Sequence, residues 1–304
     1  GGAPAAAPAA APAGAPASAV LAKAARKAVG GGASGAAAAV GQVLALMWLR
    51  TALQYQYRYG KPLGAALREL YEDGGLPRLY RGLPLALVQT PLSRFGDVAA
   101  NAGVLAAFTA AGLDGAVPLV VRTAAGSVCA GAWRVLLTPL DQVKVSLQVN
   151  GREGVDVIRR RLEAEGPSTL FAGALAAAGA TAVGHFPWFA TYNYASTHLP
   201  TAEELHHVAV LSALDPRLLD LARAAACGIC ASAASDTVSN AARVVKVQQQ
   251  TQTETLSVVE TAKSIVDEGG VAELFTRGLG TRLLVNVIQG GLFSTLLRYF
   301  QPRA

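Results

Sequence analysis

The sequence predicts an all-α membrane protein, with six transmembrane helices laid out as three tandem two-helix repeats in a pseudo-threefold bundle and short helices joining each pair on one side. Three observations predict it. Hydrophobic residues make up 52% of the 304-residue chain and charged residues 15%, against roughly 25% charged in an ordinary soluble domain. Two stretches, Ala28 to Leu49 and Gly166 to Ala202, contain no Asp, Glu, Lys or Arg, and each satisfies the roughly 20 apolar residues that a spanning helix requires. A glycine-closed turn recurs three times, which overrules the length prior of two soluble domains of about 150 residues each.

Residues 1–28 are expected to form a disordered arm, because Gly1 to Ser18 is nearly all Ala, Pro and Gly and cannot pack a core. The chain opens without methionine, so a processed or partial chain is expected. No acidic residue precedes Glu69, while Lys23, Arg26 and Lys27 punctuate the Ala-rich run, a composition that suits organelle targeting and equally suits plain low complexity. Spanning helices are expected at 29–56, 83–110, 118–148, 174–198, 217–249 and 279–300. They pair into repeats over 29–110, 118–198 and 217–300. Several of these runs are broken by charges, and since lipid-facing charges are expensive, the broken runs predict charges pointing into the bundle. The joins after the first and third helices carry Arg58, Lys61, Arg68, Arg78, Arg81, Arg152, Arg159, Arg160 and Arg161, whereas those after the second and fourth carry essentially Arg217. By the positive-inside rule the basic joins face the compartment of synthesis or its equivalent, and both termini face the other side.

Other function classes fit less well. The net charge is +6 and the pI about 9.4, but the basic residues do not form the clustered stripe that a nucleic-acid binder needs, so no nucleic-acid partner is expected. Cys129, Cys227 and Cys230 are too few for a disulfide framework, and the Cys227–Cys230 pair lacks the second pair or His cluster of a zinc site. No metal, cofactor or catalytic constellation is expected, since neither a nucleophile elbow nor a phosphate loop occurs.

The repeated turn runs from Asp73-Gly74-Gly75 to Tyr80-Arg81-Gly82, from Glu165-Gly166-Pro167 to Phe171-Ala172-Gly173, and from Glu268-Gly269-Gly270 to Phe275-Thr276-Arg277-Gly278. Its closing glycines set a period of about 100 residues. A second element ends each odd helix and is strongest in the middle copy, where Pro139-Leu140-Asp141-Gln142-Val143-Lys144 is followed by Gln148 and Gly151. Proline is expected to kink the helix there, and Asp141 and Lys144, three apart, share a face. Seven residues are almost two helical turns, so Val43 aligns with Arg50, Arg134 with Asp141, and Asp236 with Arg243. This predicts one layer holding Arg134 and Asp236, either a structural ion pair or a ligand contact. On even helices the stripes Arg94, Asp97 and Asn101, then His185, Trp188 or Phe189, and Tyr192, then Arg282, Asn286 and Gln289 keep helical spacing and converge if the helices surround one axis. His185 reads equally as a satisfied core histidine, and Phe186, Trp188 and Phe189 read as packing. The mixed charges suggest a zwitterionic or modestly anionic solute.

Together the Pro139–Lys144 element and the three turns resemble the signature of the mitochondrial carrier family, over essentially residues 29–300. That resemblance implies a solute carrier of the mitochondrial inner membrane that moves a small metabolite by alternating access, with short matrix-side helices and no enzymatic activity. Family contact points fall near Gln89, Ala180-Thr181 and Val285-Asn286. With the polar stripes these give a candidate substrate site of Gln89, Arg94, Asp97, Arg134, Thr181, His185, Asp236, Arg282 and Asn286. The implied matrix gate comprises Arg50, Asp141, Lys144, Arg243 and Lys246. Of three inter-repeat ion pairs only Asp141 with Lys246 is retained, because Arg50 would face Lys144 and Arg243 would face Leu53. On the opposite side, the even helices lack the family's ion-paired closure. The turns Arg81-Gly82, Gly173 and Arg277-Gly278 resemble the family's lipid-binding motif, which implies cardiolipin, with the middle copy lacking its basic residue. The lost gates motivate a second expectation, a carrier-derived, non-transporting subunit or scaffold of a larger mitochondrial complex, with membrane-complex partners.

Overall fold

The structure is a computed structural model that describes residues 32–110, 112–113, 117–206 and 215–300. The expected N-terminal arm lies outside the described residues. Among the described residues the regular structure is entirely helical. The α-helices are α1 (Gly32–Tyr59), α2 (Leu63–Leu79), α3 (Leu83–Ala110), α4 (Leu119–Leu136), α5 (Thr138–Asn150), α6 (Gly154–Glu165), α7 (Ala174–His198), α8 (Ala202–His206), α9 (Pro216–Thr251), α10 (Val258–Gly269), α11 (Val271–Thr276) and α12 (Leu279–Phe300). Helices α3, α7 and α12 begin and end where the sequence places even helices. The third expected helix is split: Leu137 separates α4 from α5, and Pro139 occupies the first turn of α5. Proline brings no amide to the ladder, and beside it the Thr138 hydroxyl donates to the Arg134 carbonyl at 3.0 Å. Trp48 and Ala241 stand at the aligned positions in the other copies, and α1 and α9 run through unbroken.

Six rods, counting α4 and α5 as one, pack in a closed circuit: α1 on α3, α3 on α4, α4 on α7, α7 on α9, α9 on α12, and α12 back on α1. The α7–α9 seam is the most extensive. It is made by small residues, and a Cβ at Gly184 would lie 2.8 Å from Ser235 Oγ, the close approach that small side chains permit between helices. By length and composition two stretches, Pro167–His198 and Leu218–Thr251, suffice to cross a membrane. Large apolar side chains such as Val88, Val128, Leu175, Phe186, Ile229 and Val287 are exposed on the outside of the rods. At one end of the circuit an apolar cluster joins Leu49, Leu53 and Tyr57 of α1 to Val145 and Val149 of α5 and Val244, Val245 and Val247 of α9.

The same end carries buried polar joints. The last carbonyls of a helix have no partner within it. Arg78, after α2's break at Gly74–Gly75, donates to Gln148 O at 2.8 Å and Val149 O at 2.6 Å, at the end of α5. Arg161 of α6 donates to Gln249 O at 3.0 Å, at the end of α9, and to Thr255 Oγ1 at 2.7 Å. Arg277 reaches Arg58 O at 3.4 Å, at the end of α1. Arg78 and Arg161 are each only 2% exposed. A cation at a helix C-terminus also complements the helix dipole.

Two predictions follow from these joints. Arg161→Ala strands buried carbonyls and is expected to cost about 2–4 kcal/mol, read as a lower unfolding midpoint of the detergent-solubilised protein, whereas Arg160→Ala, at an exposed position, leaves the midpoint within about 0.5 kcal/mol. The start of α10 is closed by a capping box in which Ser257 accepts from the Glu260 amide and Glu260 accepts from Ser257 N. The Ser257 hydrogen bonds hold the Glu260 carboxyl below its ordinary 4.5. A depressed carboxylate contributes stability that is present above the unfolded value and lost as pH falls through the folded one. Amide exchange in the first turn of α10 therefore accelerates as pH drops below 4.5 relative to a Glu260→Gln variant, after correction for intrinsic exchange.

Candidate functional site

The circuit of rods encloses a cavity of about 450 Å³ to which all six contribute. Its wall is polar: Arg50 and Gln54 come from α1, Gln89 from α3, Arg134 from α4, Asp141 and Lys144 from α5, Thr181 and His185 from α7, Arg243 and Lys246 from α9, and Arg282 and Asn286 from α12. Two carboxylates organise these cations.

Asp141 lies in the first turn of α5, the end of a helix where negative charge is favoured. It is 7% exposed. Lys144 Nζ stands 2.7 Å from it and Lys246 of α9 forms a second ion pair with it. Gln89 Nε2 donates to it at 2.6 Å and Gln250 Nε2 at 3.2 Å, while Lys144 also donates to the Gln89 carbonyl oxygen. The expected inter-repeat pair thus forms within a larger knot. Gln89 is tied into it and does not stand alone on the cavity wall.

Asp236, on α9 and 3% exposed, is held by Arg243 Nη2 at 3.1 Å, by Arg282 Nε at 3.2 Å and by Asn286 Nδ2. Positions seven apart on a helix share a face, and this is how Asp236 and Arg243 meet. Arg243 therefore turns toward Asp236, away from the apolar opposition with Leu53 that the alignment implies. Arg50 donates to Gln289 Oε1 at 3.0 Å, and Gln42 holds the Gln289 carbonyl at 2.7 Å. The polar stripe of α12 is thereby bonded to both α1 and α9.

The remaining predicted residues divide. Arg134, Thr181 and His185 line the cavity; Thr181 donates to its own helix at Ala177 O, and His185 Nδ1 is 2.5 Å from Ser127 Oγ of α4. Trp188 stacks on Tyr192 with ring centroids 5.1 Å apart, in keeping with packing. Val43 packs with Met47 and Ala86 in an apolar cluster. Arg94, Asp97 and Asn101 fall on α3, but their side chains lie outside the described residues. At the turns, Gly82 and Gly173 adopt φ of +83° and +77°, a conformation natural to glycine, and open α3 and α7. Gly278 opens α12. Arg81 is half-buried beside Arg78 and Arg152. Arg277 turns inward onto Glu273 and the end of α1.

Sequence reasoning missed Tyr57, Gln250, Gln289's bond to Arg50, and Ser127. The seven-residue step that joins Val43 to Arg50 reaches Tyr57 when taken once more, and from Arg243 it reaches Gln250. No spacing within one helix points to Ser127, whose role comes from its neighbour on α7.

Removing the charge of Asp141 strands two lysines. Asp141→Asn is expected to destabilise the protein by about 3–5 kcal/mol, and adding Lys246→Gln to that variant recovers part of the loss. Unfolding midpoints of the single and double variants check this.

The chain's sequence was compared with known families and proteins. The family profile described as mitochondrial carrier protein matches residues 115–203 and 218–303. No curated protein matches the chain. The two matched stretches make up more than half of the 304 residues. The chain belongs to the mitochondrial carrier family, whose members are multi-pass solute transporters of the mitochondrial inner membrane and not enzymes.

Proposed function

We propose that this chain carries a small polar solute across the mitochondrial inner membrane by alternating access through the central cavity. The observation that carries the reading is the cavity itself: polar side chains from all six rods line it, while large apolar side chains are exposed on the rods. Such a cross-section suits a bilayer, where ionisable groups face the interior of a bundle and mark a pathway.

Cyclic packing supports three repeats, 29–110, 118–198 and 217–300, around a pseudo-threefold axis with six spans. A Cβ at Gly82 would meet Lys144 O at 3.1 Å, one at Gly173 would meet Lys246 O at 3.0 Å, and one at Gly278 would meet Leu53 and Tyr57 at 3.0 Å. Each turn glycine therefore rests on the next repeat at the position aligned with the signature lysine. The buried arginines follow the same order. The ends joined in this way are taken as the matrix side, which agrees with the basic joins α2 and α6, and α10 completes the set of connecting helices.

Closure toward the matrix is assigned to the Lys144–Asp141–Lys246 knot, to the Arg50–Gln289 bond and to apolar contact of Leu53 and Tyr57. The candidate solute contacts are Arg134, Thr181, His185, Arg282 and Asn286, with Asp236 holding Arg282 and Asn286 from behind, and with Gln89, Arg94 and Asp97 on α3. A groove of about 490 Å³ beside Gly278, bounded by Lys61, Thr276 and Thr281, suits a lipid headgroup at a helix start. Cardiolipin is proposed there and at Gly82 with Arg81, while Gly173 offers a weaker third position. A second reading, a non-transporting membrane subunit, is favoured by one observation: at the seam between the first and second repeats a cation, Arg50, replaces the gate carboxylate.

Uptake into liposomes carrying the purified protein tests transport. Arg134→Ala and Asp236→Ala are expected to lower uptake at least tenfold, a loss of about 1.4 kcal/mol or more, and Cys129→Ala, at an exposed position, to preserve it. Equal rates in all three variants would remove the cavity from the transport path.

A further inference from the structure

We infer that the solute is a compact anion with two acidic groups, one of them seated between Arg243, Arg282 and the hydroxyl of Tyr57. The inference rests on the reading of the cavity as the transport path and narrows the solute to a chemical class.

Charge gives the first argument. Each of the two carboxylates is shared by two cations, Asp141 by Lys144 and Lys246, and Asp236 by Arg243 and Arg282. Among the described residues each knot therefore carries one positive charge in excess. Two excess charges on the wall of one cavity repel each other. A dianion neutralises both. A cationic solute would add to the repulsion, and a zwitterion would leave it unchanged.

Donor geometry gives the second. Asp236 sits behind the arginines at 3% exposure, whereas the side chains of Arg243 and Arg282 are 28% and 29% exposed and line the cavity. Arg282 binds Asp236 through Nε, and Arg243 uses Nη2 for Asp236 and Nε for Ser239 Oγ at 3.3 Å. A guanidinium carries five N–H donors, and these bonds engage only some of them. Planar guanidinium forks match the paired oxygens of a carboxylate or phosphate. Asp236 is on this view a positioning residue that aims two forks at one point.

Tyr57 gives the third. The residue is 2% exposed, and its hydroxyl is buried without a hydrogen-bond partner among the described residues. It lines the same cavity, within electrostatic reach of Arg243, Arg282 and Asp236. A buried hydroxyl left unbonded is costly, and an oxyanion held by the two arginines gives it an acceptor. The aligned positions in the other repeats hold Gln148 and Gln250, so the tyrosine is particular to this corner of the ring.

The test uses the full chain in lipid nanodiscs for binding and in liposomes for uptake. Succinate and glycerol 3-phosphate probe dicarboxylate and phosphate-ester chemistry, with alanine and lysine as the zwitterionic and cationic controls. At least one dianion is expected to raise the unfolding midpoint and to be taken up, with alanine and lysine inert, and the better of the two dianions tells carboxylate from phosphate. Tyr57→Phe keeps the ring and its packing and is expected to weaken dianion binding about fivefold, with the midpoint of the solute-free protein unchanged or raised. Arg282→Lys, which keeps the charge and loses the fork, is expected to weaken it further. Uptake of alanine or lysine in preference to the dianions overturns the inference and leaves transport standing. Dianion binding without uptake by the intact protein upholds the site and overturns transport. Absence of binding by either dianion, or unchanged affinity in Tyr57→Phe, overturns the proposed corner.

Discussion

Burial of helix ends is the constraint on which the rest of this structure depends. Helices α1, α5 and α9 stop where they meet, and their last carbonyls sit in the molecule's interior without a helical partner. Arg78, Arg161 and Arg277 supply donors from the neighbouring connection in each case. Because each arginine serves the rod that follows its own, the joints tie the chain head to tail around a centre. The cavity exists because these three ends are held together on one side. Buried arginines are costly unless their donors are used, so the same bonds that close the ring also make its closure specific.

Above those joints the protein has exchanged one kind of cohesion for another. Where the family signature places acid–base pairs between repeats, this chain keeps one, at Asp141 and Lys246. Two positions that hold carboxylates in the signature hold Arg50 and Arg243. Each arginine finds a bond outside the signature pairing: Arg50 bonds Gln289 and Arg243 bonds Asp236. The compensation has moved from neighbours in the signature to neighbours on the even helix α12. In the fold this couples α12 to α1 and α9 at mid-depth, and in the site it places two guanidinium groups side by side.

Much of this was legible in the sequence, and the limits have physical causes. The starts of α3, α7 and α12 follow from closing glycines, where the backbone needs a conformation that other residues rarely adopt. The split at Leu137 followed from Pro139, and the unbroken α1 and α9 from its absence. The wall of the cavity was legible through the seven-residue step, since that step is a property of one helix. Partners were not: the bonds of Gln89, Gln289 and Ser127 join helices far apart in sequence, and no periodicity along one strand of text encodes which face meets which. Arg277 illustrates the same limit, because its position beside Gly278 points outward to lipid while Glu273, four residues earlier on α11, draws it inward.

The break between α4 and α5 makes the three rods that meet at the buried end mechanically unequal. A proline in the first turn removes one rung of the hydrogen-bond ladder, so flexing at Leu137 sacrifices less than flexing at the midpoint of α1 or α9, where the ladder is continuous. A ring of helical rods thereby acquires a preferred direction of yielding.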